Sequence, residues 1–207
     1  MKIGILLLLL PLTVFGQQAK QYVIQGKKYT FTLYATRSIS SDSVNFTCSI
    51  DSIAITGKSA GNKLQSIICK ENNFFCGDTD KPTFVAEDMN FDGEEDIRLM
   101  QFLPAAPNIP YYYWLFNPKT GMFETNTALE EITSPVFTQR SKRITSEWRG
   151  SGTESGKTTY EYRNGKPIEV EEISMDYGHK EGHILITTKK LVGGNLKVVS
   201  KKLVKEK

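Results

Sequence analysis

Apolar and polar residues alternate in short segments along most of the chain, and glycine or asparagine separates one segment from the next. A period of two is typical of strands that bury one face. Clear examples are residues 29–34, 44–55, 97–102, 111–116 and 168–174. The pattern predicts an all-β fold, an antiparallel β-sandwich or open barrel of about ten short strands, with one short helix at 128–132.

One acidic segment interrupts this pattern. Oxygen-bearing side chains recur there at every second position, then comes Gly93, then a carboxylate three residues further on. Ca²⁺ takes about six to eight oxygen ligands, and glycine permits the sharp turn that brings them together. The spacing predicts a calcium loop, whose ligands are Asp88, Asn90, Asp92, Glu94 through its main-chain carbonyl, and Asp96. An acidic turn that binds no ion is the alternative.

The loop differs from an EF-hand. An EF-hand closes its cage with a bidentate glutamate at the twelfth position, and counting from Asp88 that position is Leu99. The segments on either side are strand-like rather than helical. The pattern therefore favours a calcium-bound β-turn that stabilises the fold by mass action, without a sensing role.

The start of the chain is typical of an exported protein. Residues 1–16 combine one lysine with an apolar run, which predicts a cleaved signal peptide. No cysteine ends this segment, so we expect a periplasmic or secreted protein without a lipid anchor. Residues 17–207 are long enough for a single β domain, and they contain no apolar run long enough for a membrane span. A net charge of +3 argues against a nucleic-acid partner.

Three cysteines leave one unpaired thiol if a disulfide forms. Cys69 and Cys76 flank a short polar loop, and that pairing is slightly favoured. The strand before it would place Cys48 nearly opposite Cys69, so this pairing also remains open, as does a fully reduced protein.

Four segments, in their order and spacing, carry a family resemblance: residues 91–99 (FDGEEDIRL), 111–123 (YYYWLFNPKTGMF), 144–150 (ITSEWRG) and 160–168 (YEYRNGKPI). They resemble a family of exported bacterial β-domain proteins with one calcium loop, which includes immunity proteins against secreted peptidoglycan hydrolases. They are also similar to the periplasmic lysozyme inhibitors. The resemblance covers about residues 64–174, and the loop followed by the aromatic strand and its turn is its most specific part.

The resemblance implies inhibition by a plug, in which a projecting loop enters the substrate cleft of a lysozyme-like toxin. In lysozyme inhibitors this loop contains Ser-Gly and has a tyrosine nearby. The matching segment here is residues 149–157, and the implied partner-binding residues are Arg149, Ser151, Ser155, Lys157 and Tyr160. The basic side chains would pair with the carboxylates that glycosidases use. A flexible hairpin tip without a function is the alternative.

No set of residues indicates catalysis. The two histidines, His179 and His183, lie in a glycine-containing segment without further ligands, so we expect no enzyme. In the run 111–114, Tyr111 and Tyr113 share one face of a strand, and Tyr112 and Trp114 share the other. We expect one face to lie in the core, and the other is a candidate for stacking on a glycan, so a carbohydrate- or surface-binding module is the alternative function.

The calcium loop leads to a first prediction. Asp92→Ala lowers the melting temperature in calcium, because it removes a ligand of the ion. It leaves the melting temperature unchanged in chelator, because the ion is already absent there. At a calcium concentration tenfold above Kd the effect amounts to about 1.4 kcal/mol. Thermal unfolding in both buffers tests this, and equal decreases in the two buffers would contradict it.

Overall fold

Three antiparallel sheets make up the part of the chain that the computed structural model describes, which is residues 18–39, 46–59, 61–75, 83–104 and 107–206. Fifteen strands and one four-residue helix lie in these ranges. The strand orders are linear, so none of the three sheets closes on itself. The predicted all-β sandwich class is confirmed, with more strands than expected. The predicted signal peptide lies outside the described residues.

The first sheet, sheet A, has the order β1-β2-β3-β4, and β5 pairs with β3. Its strands are β1 Gln18–Gln25, β2 Tyr29–Ile39, β3 Phe46–Gly57, β4 Lys63–Ile68 and β5 Phe74–Phe75. Phe31 and Leu33 on β2, and Ile53 and Ile55 on β3, are fully buried. The residues between them point to the outer face, as period-two alternation predicts.

Sheet B has the order β6-β7-β8-β9 and carries the predicted calcium loop between its first two strands. The strands are β6 Phe84–Glu87, β7 Asp96–Met100, β8 Tyr111–Asn117 and β9 Met122–Thr125. Helix α1, Thr127–Glu130, follows them, where a helix was predicted. The Asn126 side chain accepts a hydrogen bond from the Leu129 amide and caps the helix N-terminus.

Sheet C is the largest, with its six strands in sequence order. They are β10 Pro135–Thr138, β11 Arg143–Arg149, β12 Glu154–Arg163, β13 Lys166–Lys180, β14 His183–Val192 and β15 Asn195–Lys205. Among the described residues, Ile144 on β11 is the core residue furthest along the chain. Tyr160 and Tyr162 on β12 are partly buried and pack against the core. The strands β13–β15 therefore extend the sheet beyond the core.

The structure corrects the predicted cysteine pairings. Cys48 is in a disulfide and Cys69 is a free thiol, so both pairings that used Cys69 are wrong, and so is the fully reduced form. Strand β5 places Phe74 opposite Cys48, a short pairing that the sequence pattern did not predict. Burial raises the pKa of the Cys69 thiol to about 12, which makes it a poor nucleophile. Cys76 lies outside the described residues.

The described residues include no helix that is both long and apolar enough to cross a membrane.

Arg98 connects sheets B and C. Its guanidinium lies 4.8 Å from the ring centre of Tyr111 and 5.2 Å from that of Phe137, and it donates to the Pro135 carbonyl at 3.1 Å. Its partner is the Glu87 carboxylate at 3.1 Å, and the Arg98 side chain is only 11% exposed. Removing one partner of an ion pair at low exposure costs far more than removing one partner of a surface pair, because the other charge is left without compensation.

This gives a prediction with a matched control. Arg98→Met should lower the free energy of unfolding by about 2–4 kcal/mol, because it leaves Glu87 half-buried without its partner. Arg143→Met removes an ion pair of the same 3.1 Å length, but with the arginine 51% exposed, and should cost about 0–1 kcal/mol. Urea unfolding measures both, and similar losses in the two variants would contradict the role given to Arg98.

Candidate functional site

The predicted calcium loop folds around its own backbone amides. The Asp88 carboxylate accepts from the amides of Asp92 at 3.2 Å and Gly93 at 2.9 Å. The Asn90 side-chain oxygen also accepts from the Asp92 amide, at 3.1 Å. Gly93 has a φ of 91°, as the predicted sharp turn requires. The structure thus brings the first three predicted ligands together inside one turn.

Asp96 takes a different role. It begins β7, its side chain is fully buried, and its two oxygens accept from the amides of Met89 at 2.8 Å and Phe116 at 2.9 Å. Burial raises the pKa of this carboxyl to about 7, against the lowering effect of the two amides. No described lysine or arginine forms an ion pair with it. A nearby divalent cation would favour its charged form.

The neighbouring glutamates face sheet A. The Glu94 carboxylate pairs with the Lys28 ammonium at 2.6 Å, which leaves its main-chain carbonyl as the predicted ligand. The Glu95 carboxylate is buried and accepts from the amides of Lys27 at 2.7 Å and Lys28 at 3.2 Å. A Cβ at Gly26 would lie 2.5 Å from that carboxylate. The sequence pattern did not single out Glu95, because nothing in it distinguishes Glu95 from the acids beside it.

The loop also contacts sheet C. The Gln139 side-chain amide donates to the Asp88 carbonyl at 2.5 Å, and the Lys142 ammonium lies 3.4 Å from the Phe91 carbonyl. The ring of Phe91, which has a φ of 65°, packs on Phe137 with ring centres 6.4 Å apart. The loop is therefore the point at which all three sheets meet.

The donor set fits calcium in type and order, since every donor is a carboxylate, amide or carbonyl oxygen. Nowhere among the described residues do three His, Cys, Asp or Glu side chains converge as a ready metal cage. Each loop carboxylate oxygen that binds one amide keeps a second lone pair for a cation. Calcium binding therefore remains a prediction, in which Asp88, Asn90, Asp92 and Asp96 would close around the ion.

The segment predicted as a plug, residues 149–157, contains the hairpin turn that joins β11 to β12 and the start of β12. Residues 149–155 are called the hairpin tip. The Arg149 guanidinium folds back on the tip and donates to the carbonyls of Ser151 at 3.1 Å and Gly152 at 3.3 Å. The Asn108 side chain donates to the Arg149 carbonyl at 2.8 Å and accepts from the Arg149 amide at 2.9 Å. Arg149 thus holds the shape of an exposed tip.

The tyrosine beside the tip is Tyr177, at the end of β13. Its amide donates to the Thr153 carbonyl at 2.8 Å, and its side chain is 38% exposed. It lines a surface cavity of about 340 Å³ together with Arg149, Gly152, Glu154, Ser155 and Glu206. Sequence reasoning missed Tyr177, because its place beside the tip depends on the pairing of β12 with β13, where Glu154 lies opposite Asp176.

The predicted partner-binding residues Tyr160, Lys157 and Ser151 differ from one another in their surroundings. Tyr160 packs against the core, and on β12 it alternates away from the face of Ser155. Lys157 is exposed on that face and lies 3.6 Å from the Glu147 carboxylate. Ser151 is exposed at the tip, where its hydroxyl accepts from the Thr153 amide at 3.2 Å. The structure brings Arg149, Ser151 and Ser155 together at the tip and leaves Tyr160 outside it.

The predicted glycan-stacking face is incomplete. Tyr112 is partly exposed, with the Lys70 ammonium 5.1 Å from its ring centre, but Trp114 is buried. His179 and His183 lie at opposite ends of the turn between β13 and β14, and His183 Nδ1 is 3.0 Å from the Glu181 carbonyl. These residues do not assemble into a second site.

No family model matches the chain, and no curated protein matches it. Among solved structures, the chain is similar to one described as the "Structure of a Xanthomonas Type IV Secretion System related protein". The TM-score is 0.65 at 17% sequence identity, over 87% of this chain and 93% of that chain. At this identity the likeness shows that the two chains share a fold.

The contacts of Glu95 give a prediction that separates it from the predicted ligands. Glu95→Ala should lower the free energy of unfolding by about 2–4 kcal/mol, because two amides of the β1–β2 turn lose a charged acceptor. Glu95→Gln keeps one acceptor oxygen and should lose roughly half as much. Urea unfolding should give the same loss in calcium and in chelator. A loss confined to calcium would instead make Glu95 a ligand.

Proposed function

We propose that this protein is an exported, calcium-binding inhibitor of a peptidoglycan hydrolase, of the immunity-protein or lysozyme-inhibitor kind, and is not itself an enzyme. The proposal rests on the family resemblance carried by residues 64–174, and nearly the whole fold is like that of a Xanthomonas type IV secretion system related protein. A secretion-system-associated role is compatible with this likeness. The predicted signal peptide would place the protein in the periplasm or outside the cell.

The hairpin tip has the properties that a plug requires. It is exposed and rich in serine and glycine, so its backbone can approach a substrate cleft closely. Hydrogen bonds from Arg149, Asn108 and Tyr177 fix its shape before any partner arrives. A tip ordered in advance loses little conformational entropy on binding, so more of the contact energy appears as affinity.

Two side chains near the tip, Tyr177 and Lys157, suit the cleft of a glycosidase. Two carboxylates flank the bond that such enzymes cut, and they attract a nearby cation or a hydroxyl donor. Tyr177 offers an exposed hydroxyl beside the tip, and Lys157 offers a positive charge on the neighbouring strand. In this proposal Arg149 is a positioning residue, since its guanidinium already binds two carbonyls of the tip.

The calcium loop would act at a distance from the tip. A bound cation would be held by Asp88, Asn90, Asp92, the Glu94 carbonyl and Asp96, and would offset the mutual repulsion of these carboxylates. Because the loop contacts all three sheets, including β10 beside β11, its order supports the strand that carries the tip. Calcium would thus stabilise the inhibitor without touching its partner.

Inhibition of peptidoglycan hydrolysis tests the proposal. In the presence of calcium, the purified protein should slow peptidoglycan hydrolysis by at least one lysozyme in a panel of several types. Tyr177→Ala should weaken that inhibition at least about tenfold, in the range of an interface hot spot. Tyr34→Ala is the matched control, since Tyr34 is also an exposed tyrosine but lies on sheet A, and it should change nothing.

Two outcomes would contradict the proposal. If Tyr177→Ala and Tyr34→Ala change the inhibition equally, the tip is not part of the interface with the hydrolase. Retention of the protein on peptidoglycan without inhibition of any hydrolase tested would support the glycan-binding alternative instead.

A further inference from the structure

The outer strand of sheet C has one free edge. Strand β15 pairs with β14 on one side, and no other described strand pairs with it on the other. The region of β13–β15 supplies no residue to the described core. An edge strand of this kind presents a row of unpaired amides and carbonyls to solvent.

The register identifies which amides of β15 point outward. The Glu206 amide donates to the Gly182 carbonyl at 2.9 Å, so position 206 faces β14. Antiparallel pairing alternates from one residue to the next, and the register runs without a shift from 205 back to 200. The amides of Lys201, Leu203 and Lys205 therefore point away from the sheet and are available as donors.

The side chains of β15 are basic and apolar, with no acid. Lys197, Lys201, Lys202 and Lys205 are interspersed with exposed apolar residues, of which Val198, Val199, Leu203 and Val204 are 41–51% exposed. None of these four lysines forms an ion pair with a described residue. The lysines of β14 differ, because Lys189 and Lys190 are paired with Glu172 at 2.7 Å and Glu171 at 3.1 Å.

We propose that β15 is a docking edge for an extended segment of a partner protein in which acidic and apolar residues alternate. The segment would add a strand to sheet C, with main-chain hydrogen bonds to the outward amides. In the register that puts its acidic side chains on the face of Lys201 and Lys205, its apolar side chains would lie on the opposite face, which includes Val204. Glu206, which follows β15, lines the cavity beside the hairpin tip, but the inference rests on the edge itself and does not depend on the proposed function.

The same charges argue against a second copy of the chain as the occupant. Two β15 strands paired with each other would bring four lysines from each copy into one ladder without a carboxylate. Like charges on facing strands are destabilising, and lysines on an edge are a common protection against self-pairing. The carboxylates of an acidic segment would instead attract the β15 lysines.

Hydrogen exchange on the full chain tests the proposal, with two synthetic peptides as probes. The acidic probe is Val-Glu-Val-Glu-Val-Glu-Val and the control is Val-Lys-Val-Lys-Val-Lys-Val, both with blocked ends. We expect the amides of Lys201, Leu203 and Lys205 to exchange quickly in the protein alone and to be slowed by the acidic peptide only. Slow exchange in the protein alone, or equal slowing by both peptides, would overturn the proposal.

Two kinds of variant separate the contribution of the lysine charges from that of the main-chain hydrogen bonds. Lys201→Glu combined with Lys205→Glu should lower the affinity for the acidic peptide about tenfold or more. Leu203→Pro removes one outward donor and leaves the β14 ladder intact, so it should weaken binding more than Leu203→Ala. Unchanged affinity in the charge-reversed variant would overturn the proposal, as would sedimentation of the free protein as a dimer that Leu203→Pro dissociates.

Discussion

Two adjacent buried carboxylates fix the loop at which the three sheets meet, and the rest of the structure depends on them. Asp96 accepts amides from its own loop and from β8, while Glu95, the residue before it, accepts the amides of the β1–β2 turn. Hydrogen bonds to a charged group contribute about 1.5–3 kcal/mol each. The same arrangement crowds negative charge into one loop, which makes a cation at this place favourable.

The contacts of the loop continue toward the hairpin tip. From Asp88 and Phe91 they reach the turn that joins β10 to β11, and Arg98 fixes β10 against sheet B. Strand β11 then ends at Arg149, whose guanidinium shapes the tip. A rigid junction and a shaped tip therefore belong to one continuous set of contacts, although the loop residues and the tip residues do not touch.

Local sequence signals predicted the local features. Alternation revealed most strands because a half-buried strand needs a period of two, and Gly93 marked the loop because its φ of 91° favours glycine. Features that depend on pairing were missed. Tyr177 lies beside the tip because Asp176 pairs with Glu154, whereas Tyr160 lies on the core face of β12. Strand β5 has only two residues, too few for a periodic pattern, and so its pairing with β3 beside Cys48 was missed.

The most direct test of the junction is amide hydrogen exchange across the whole chain, in calcium and in chelator. Removal of calcium should speed exchange together in β2, β8 and β11, one strand from each sheet, because the loop contacts all three sheets. Faster exchange confined to residues 88–96 would mean that the loop binds calcium without coupling the sheets. No change anywhere would contradict calcium binding itself.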